Sequence, residues 1–299
     1  KNKRRMGIGI TGLADAFCML GLKYGSDESA KIAEKIMSTI TFAAYERSCS
    51  LAAEKGAFKL FDAEKYLRSE FLRIFPESLR KKIKKFGMRN SHLISIAPTG
   101  TISLLAGNIS SGIEPIFALK YKRKIRMGAS DETQTVDVYD YAYRRYIEQY
   151  GEGKTPDFFV SSDNIPPEDH LKIQSALQKY VDSSISKTIN VPADFPYEDF
   201  KEIYSNAYKL GLKGCTTFRP SEHITGVLIK EDDKSKDKKV NGVALVAQVQ
   251  LQRPPELEGT TYKIKTPLSP EAIYLTVNDL VEENGRRRPY ELFINTKNL

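Results

Sequence analysis

The chain has 299 residues, 40% of them apolar and 28% charged, with a formal net charge of +8. That balance describes a globular chain rather than a disordered one, of a length that suggests about two domains. No run of about 18 apolar residues exists, which excludes a membrane-spanning helix, and the basic start Lys1–Arg5 is not followed by the apolar stretch of a signal peptide.

Gly7, Gly9 and Gly12 match the G-x-G-x-x-G spacing of a dinucleotide fingerprint, but basic residues precede them where a buried strand belongs. They are read instead as close helix packing. Ser26 caps a long helix predicted over 27–54, with acids in its first turn, Gly56 beyond its end, and Ile32, Ile36, Ile40, Ala43, Ala44 and Leu51 as its apolar stripe. A shorter helix begins at Pro76 and ends before Gly87. A strand over 92–97 leads into a Pro/Gly turn and a helix start at Thr101 or Ile102. A strand around 116–125 and a tyrosine-rich helix over 133–150 follow, the tyrosines serving as packing groups. Pro167 opens a helix to about Val181, Ser186–Pro192 is a short β-branched strand, a helix over 197–210 ends at Gly211, and 213–219 is again a strand. This alternation argues for an α/β layer or barrel. The mixed-charge run 231–239 reads as a linker. The stretches 243–251, 260–266, 273–278 and 290–295 are strand-like with no helix between them, so a small, mostly β domain is expected, incomplete at Leu299. A chain that opens on Lys1 rather than Met is expected to be an internal or excised segment.

The most informative stretch is Pro98-Thr99-Gly100-Thr101-Ile102-Ser103, followed by Ser110–Pro115. Strand, small polar turn and helix start aim backbone amides at an anion, because a first helical turn has unpaired N–H groups and a partial positive charge. Thr99, Thr101 and Ser103 add hydroxyls, and Gly100 admits a phosphate close to the backbone. The lysine of a P-loop is missing, so an ordinary ATPase is not implied. On chemistry alone a phosphate cradle and a plain capped helix both remain open. Elsewhere, Cys18 and Cys49 read as inert core thiols, and Cys215 ends a short strand with no histidine beside it. The three make neither a disulfide framework nor a metal cluster and fit a reducing, cytoplasmic setting. His170 and His223 read as isolated surface residues. Glu114 is either an acid at a site or a loop acid before Pro115. The basic clusters Lys1–Arg5, Arg80–Lys85, Lys120–Arg126 and Arg286–Arg288 are too scattered for a nucleic-acid footprint.

Several segments in one order carry a resemblance. They are Gly9–Asp15, the helix around Ala44 and Tyr45, Gly87–Ser91, Pro98–Ser103 with Ser110–Pro115, Gln178–Asp182, Ser186–Pro192 and Gly211–Thr216. Together they resemble the C-terminal half of the large catalytic chain of ribonucleotide reductase, over about residues 1–230, and most closely its adenosylcobalamin-dependent class II. The tail from Arg253, with Gly259–Ile264 and Pro289–Ile294, is similar to the start of the small Thr-Ser-Cys-Pro-Asp domain that follows the barrel in many class II chains.

The resemblance implies an α/β fold, half of a ten-stranded barrel over 1–230, then a charged linker and lead-in over 231–250 and a partial small β domain over 251–299. It implies ribonucleotide reduction by radical chemistry with adenosylcobalamin, a ribonucleoside di- or triphosphate as substrate, and a thiol reductant such as thioredoxin. Residue by residue, Pro98, Thr99, Gly100, Thr101 and Ile102 match the family's substrate-phosphate loop, with Ser103 adjacent. The chain departs from the family where the radical should be. No Asn-x-Cys-x-Glu segment occurs at any of the three cysteines, so none is assigned as catalytic, and an N-terminal half, in the same or a separate chain, is an expected partner. Class I and class II both remain open, as do two rivals: a non-catalytic nucleotide-binding module and a basic nucleic-acid-binding protein.

Overall fold

The computed structural model of the chain describes residues 2–126, 133–220, 229–230, 256–266, 269–281 and 285–296. His223, the 231–239 run and the 243–251 stretch lie outside the described residues. The chain divides into two compact units, Lys1–Lys236 and Asp237–Leu299.

The first unit holds α1 (Leu13–Met19), α2 (Asp27–Lys55), α3 (Ala63–Leu67), α4 (Glu77–Phe86), α5 (Gly100–Leu105), β1 (Lys120–Arg126), β2 (Thr133–Tyr139), α6 (Tyr141–Tyr150), α7 (Pro167–Gln178), β3 (Thr188–Asn190), α8 (Tyr197–Lys209), β4 (Thr216–Phe218) and β5 (Ile229–Lys230). Its spine is a strip of four parallel extended segments. Residues 3–8 bond to 91–96 through Met6 N to His92 O and Ser95 N to Ile8 O. Residues 94–96 bond to 183–186 through Ile96 N to Ser184 O and Ser186 N to Ile96 O, and β3 pairs with β4 in parallel. The fold is α/β, as expected; among the described residues the strip does not close into a barrel.

Gly7 and Gly9 serve this strip rather than helix packing. A Cβ at Gly9 would lie 2.3 Å from the Ser95 carbonyl oxygen, so glycine is required there for the backbones to approach, while one at Gly7 would lie 2.3 Å from Ser95 Oγ, a hydroxyl that can turn aside.

α2 is capped as read: Ser26 Oγ accepts the Ser29 amide at 3.1 Å. Its buried stripe is Ala33, Met37, Thr41, Tyr45, Cys49 and Ala52, one position round from the predicted one, and Ala43 is exposed. The reason is a polar tie. Tyr45 Oη donates to Asp182 Oδ2 at 2.6 Å, and the same carboxylate accepts the amides of Leu93 (2.7 Å) and Ile94 (3.1 Å). The helix is thereby turned to put Tyr45 over the strip, where its ring packs 4.5 Å from Phe75.

The helix predicted over 133–150 begins only at Tyr141. Residues 133–139 form β2, antiparallel to β1, and Asp140 caps α6 by accepting the Tyr143 amide at 3.1 Å. The alternation Thr133, Thr135, Asp137, Tyr139 against Gln134, Val136, Val138 is a period-two strand pattern that the tyrosine count obscured. β1 itself starts at Lys120, while Ile116 makes a parallel bridge to Ser161.

The second unit contains an antiparallel meander, β6 (Glu258–Thr266), β7 (Ser269–Val281) and β8 (Arg287–Thr296). The register sets Tyr262 beside Leu275 and Ile294, and Thr260 beside Val277 and Leu292. One face is therefore apolar, while Thr261, Thr276 and the Asn278–Glu291 pair (2.8 Å) occupy the other. No helix among the described residues is long and apolar enough to cross a membrane.

Candidate functional site

At the end of segment 91–96, Thr99 turns the chain in the left-handed region, at φ 53°, a strained place for a β-branched residue. A knot of hydroxyls holds it there. Thr99 Oγ1 accepts the Gly112 amide at 2.7 Å and lies 2.9 Å from Thr11 Oγ1. Thr11 Oγ1 also lies 2.9 Å from Ser103 Oγ and donates to the Ser110 carbonyl at 3.0 Å. The turn is thus tied to segment 3–12 on one side and to loop 110–112 on the other. α5 starts directly after it, and the amides of its first turn have no helical carbonyl to bond.

These elements wall a cavity of about 560 Å³. Pro98, Gly100, Thr101 and Ser103 line it from the turn, and Glu114 and Asn190 are among the residues lining it elsewhere. The sequence-nominated set therefore divides. Thr101 presents an exposed hydroxyl and Gly100 an uncovered backbone, whereas the hydroxyls of Thr99 and Ser103 are spent on the knot. Ile102 is exposed and does not line the cavity, so only its backbone can serve there.

Behind the turn lie two buried carboxylates. Asp15 accepts the Ser110 amide at 2.6 Å and the Ala142 amide at 3.1 Å, fixing loop 108–112 against α6. Asp140 lines the cavity; burial, and then the neighbouring Asp15 charge, push its carboxyl up to about 8. Glu114, which also lines the cavity, forms an ion pair. Its Oε2 accepts Lys187 Nζ at 2.5 Å and its Oε1 accepts the Thr188 amide at 2.6 Å. The Lys187 side chain is 0% exposed and that of Glu114 23%. Burial draws the Lys187 ammonium below its ordinary range, opposed by the Glu114 charge.

Glu114 is thus a paired acid that lines the cavity. His170, expected at the surface, is fully buried on α7, and burial followed by the Lys187 charge lowers its imidazole to about 3. Burial raises the thiols of Cys18, Cys49 and Cys215, which keeps all three protonated near neutrality. Among the described residues no cluster of His, Cys, Asp or Glu could hold a metal ion. Reading the sequence alone missed Thr11, Asp15, Asp140 and the partner of Glu114. One signal was available for the last: a lysine inside the β-branched run Ser186–Pro192 needs a buried acid.

Comparison with known proteins adds an independent finding. Residues 1–218 match the family model described as "Ribonucleotide reductase, barrel domain". A "Vitamin B12-dependent ribonucleoside-diphosphate reductase" of Mycobacterium tuberculosis (strain CDC 1551 / Oshkosh) is 34% identical over 233 residues, covering 72% of this chain and 31% of the relative. The Thermoplasma acidophilum protein of the same name is 32% identical over 256 residues, 79% of this chain and 31% of its own. A "Ribonucleoside-diphosphate reductase subunit alpha" of Helicobacter pylori (strain J99 / ATCC 700824) is 29% identical over 243 residues, 72% of this chain and 28% of its own. The chain thus spans less than a third of the length of these relatives.

Proposed function

The chain belongs to the ribonucleotide reductase barrel-domain family, and on that premise we propose that it supplies the substrate-phosphate side of a ribonucleoside-diphosphate reductase. The observation that carries the reading is the cavity at the Pro98–Ser103 turn, where first-turn amides, the Gly100 backbone and the Thr101 hydroxyl converge. Gly100, Thr101 and Ile102 offer backbone donors and Thr101 a hydroxyl. Pro98 and Thr99 shape the turn, and Ser103 locks it. Such a cradle binds and orients phosphates without transferring them, which accounts for the missing lysine. The diphosphate in the relatives' names favours that substrate over a triphosphate.

In this reading residues 1–230 are the C-terminal half of the ten-stranded barrel, and the four-segment parallel strip is the part of it that supports the turn. Residues 231–250 link it to a small β domain beginning at 251. The other barrel half, carrying the radical cysteine, and a thiol reductant such as thioredoxin complete the enzyme. None of Cys18, Cys49 and Cys215 is assigned a catalytic role. When bound, adenosylcobalamin supplies the radical that starts ribose reduction. The chain co-expressed with a matching N-terminal half is expected to form deoxynucleotides in a cobalamin-dependent way, and the chain alone is not. Folded complexes that remain inactive overturn the proposal.

A further inference from the structure

The phosphate reading leaves one charged group in the cavity without a task. A carboxylate in an anion-binding cavity repels its own ligand unless it is neutralised. Glu114 is neutralised from behind by Lys187, whose side chain has no solvent exposure. The pair therefore offers acceptor atoms without a net negative charge. A carboxylate has about four acceptor directions, and protein donors take one on each oxygen, Lys187 Nζ on Oε2 and the Thr188 amide on Oε1. The part of the side chain still exposed lines the cavity. Its reach is set by the neighbouring loop: the Gly112 amide bonds Thr99 Oγ1 at 2.7 Å, so Glu114 stands two residues from the phosphate turn itself. The portion of a nucleotide next to its phosphates is the sugar.

Resting on the phosphate assignment above, we propose that Glu114 is a specificity-determining residue that accepts hydrogen bonds from the ribose hydroxyls. Lys187 is a positioning residue that holds the carboxylate in place by its hydrogen bond to Oε2. Ser186, Thr188 and Asn190, which line the same wall, complete a polar surface suited to a sugar rather than to a further phosphate.

Titration calorimetry of the full chain with pyrophosphate, ADP and 2′,3′-dideoxy-ADP tests this. The wild-type chain is expected to bind dideoxy-ADP at least roughly tenfold more weakly than ADP, the worth of one hydrogen bond to a charged acceptor. The neutral double variant E114Q/K187M is expected to bind the two nucleosides alike and to keep pyrophosphate affinity within about twofold, since it spares the turn. Should that variant not fold, E114D keeps the ion pair but withdraws the carboxylate by one methylene, and it too is expected to lose the ribose preference. A wild-type chain that binds pyrophosphate without preferring ADP to its dideoxy analogue overturns the Glu114 assignment alone, as does a folded E114Q/K187M or E114D that keeps the preference. A chain that binds neither pyrophosphate nor ADP overturns the phosphate assignment as well.

Discussion

The two units of the chain use opposite means of holding a sheet. In the first, the parallel strip is short of strand residues but enclosed: Phe17, Met37, Ile83, Ile94 and Leu177 have no exposed surface. Carboxylates, half-buried Asp182 and buried Asp15, also fasten the elements to each other across long sequence separations, Asp182 joining α2 to two strip segments and Asp15 joining loop 108–112 to α6. In the second, three long strands pair over most of their length, yet the apolar face made by Tyr262, Leu275, Leu292 and Ile294 is largely in water. Alternation alone builds a sheet, and burial and polar ties make a site. The cavity described above is lined entirely by residues of the first unit.

The largest effect expected from breaking that arrangement is at the ion pair. Glu114→Ala leaves Lys187 charged and without solvent, which costs about 3–5 kcal/mol by the measured penalty for orphaning a buried charge. Urea unfolding of the first unit should show the loss, and the second substitution Lys187→Met should restore most of it. If Glu114→Ala were nearly silent, the pair would not be the fastening its geometry describes.

The same chemical change in both units sharpens the comparison. Ile94 is 0% exposed and Ile294 is 62% exposed. Ile94→Ala opens a cavity in a packed core and is expected to cost about 2–5 kcal/mol. Ile294→Ala removes only cross-strand contact with Leu275 and should stay within about 0.5 kcal/mol. Equal losses in thermal or urea unfolding would mean that the apolar face of β6–β8 is covered in solution.

Much of this was readable locally. Ser26 with its acids marks the start of α2, and Pro98–Ser103 announces a turn before a helix, because caps and turns depend on neighbours within four residues. What depends on distant residues was not readable. Nothing near Glu114 names Lys187, 73 positions away, and nothing near Gly9 names the Ser95 carbonyl, against which its missing side chain is required. His170 looked like a surface residue because a polar side chain in an amphipathic helix ordinarily is one; here α7 is packed on more than one side. The candidate site shows the same division. The turn was legible, but the hydroxyl knot that engages Thr99 and Ser103 needs Thr11, 88 residues before Thr99.

The smallest expected effect is a slope rather than a loss of fold, and it again separates the two units. Asp140 is buried and pushed up to about 8, so the folded chain holds its proton well above the ordinary carboxyl value of 3.8. A raised carboxyl is stabilising in its protonated form, a contribution complete below about pH 4 and lost as pH rises through about 8. The melting temperature of the first unit should therefore decline between pH 5 and pH 9, and Asp140→Asn, which keeps an oxygen to cap the Tyr143 amide, should flatten that decline. The Arg287–Glu258 pair of the second unit, 55% and 67% exposed, is by contrast an ion pair in water that contributes little to stability. A decline left unchanged in Asp140→Asn would mean that the proton responsible does not reside on Asp140.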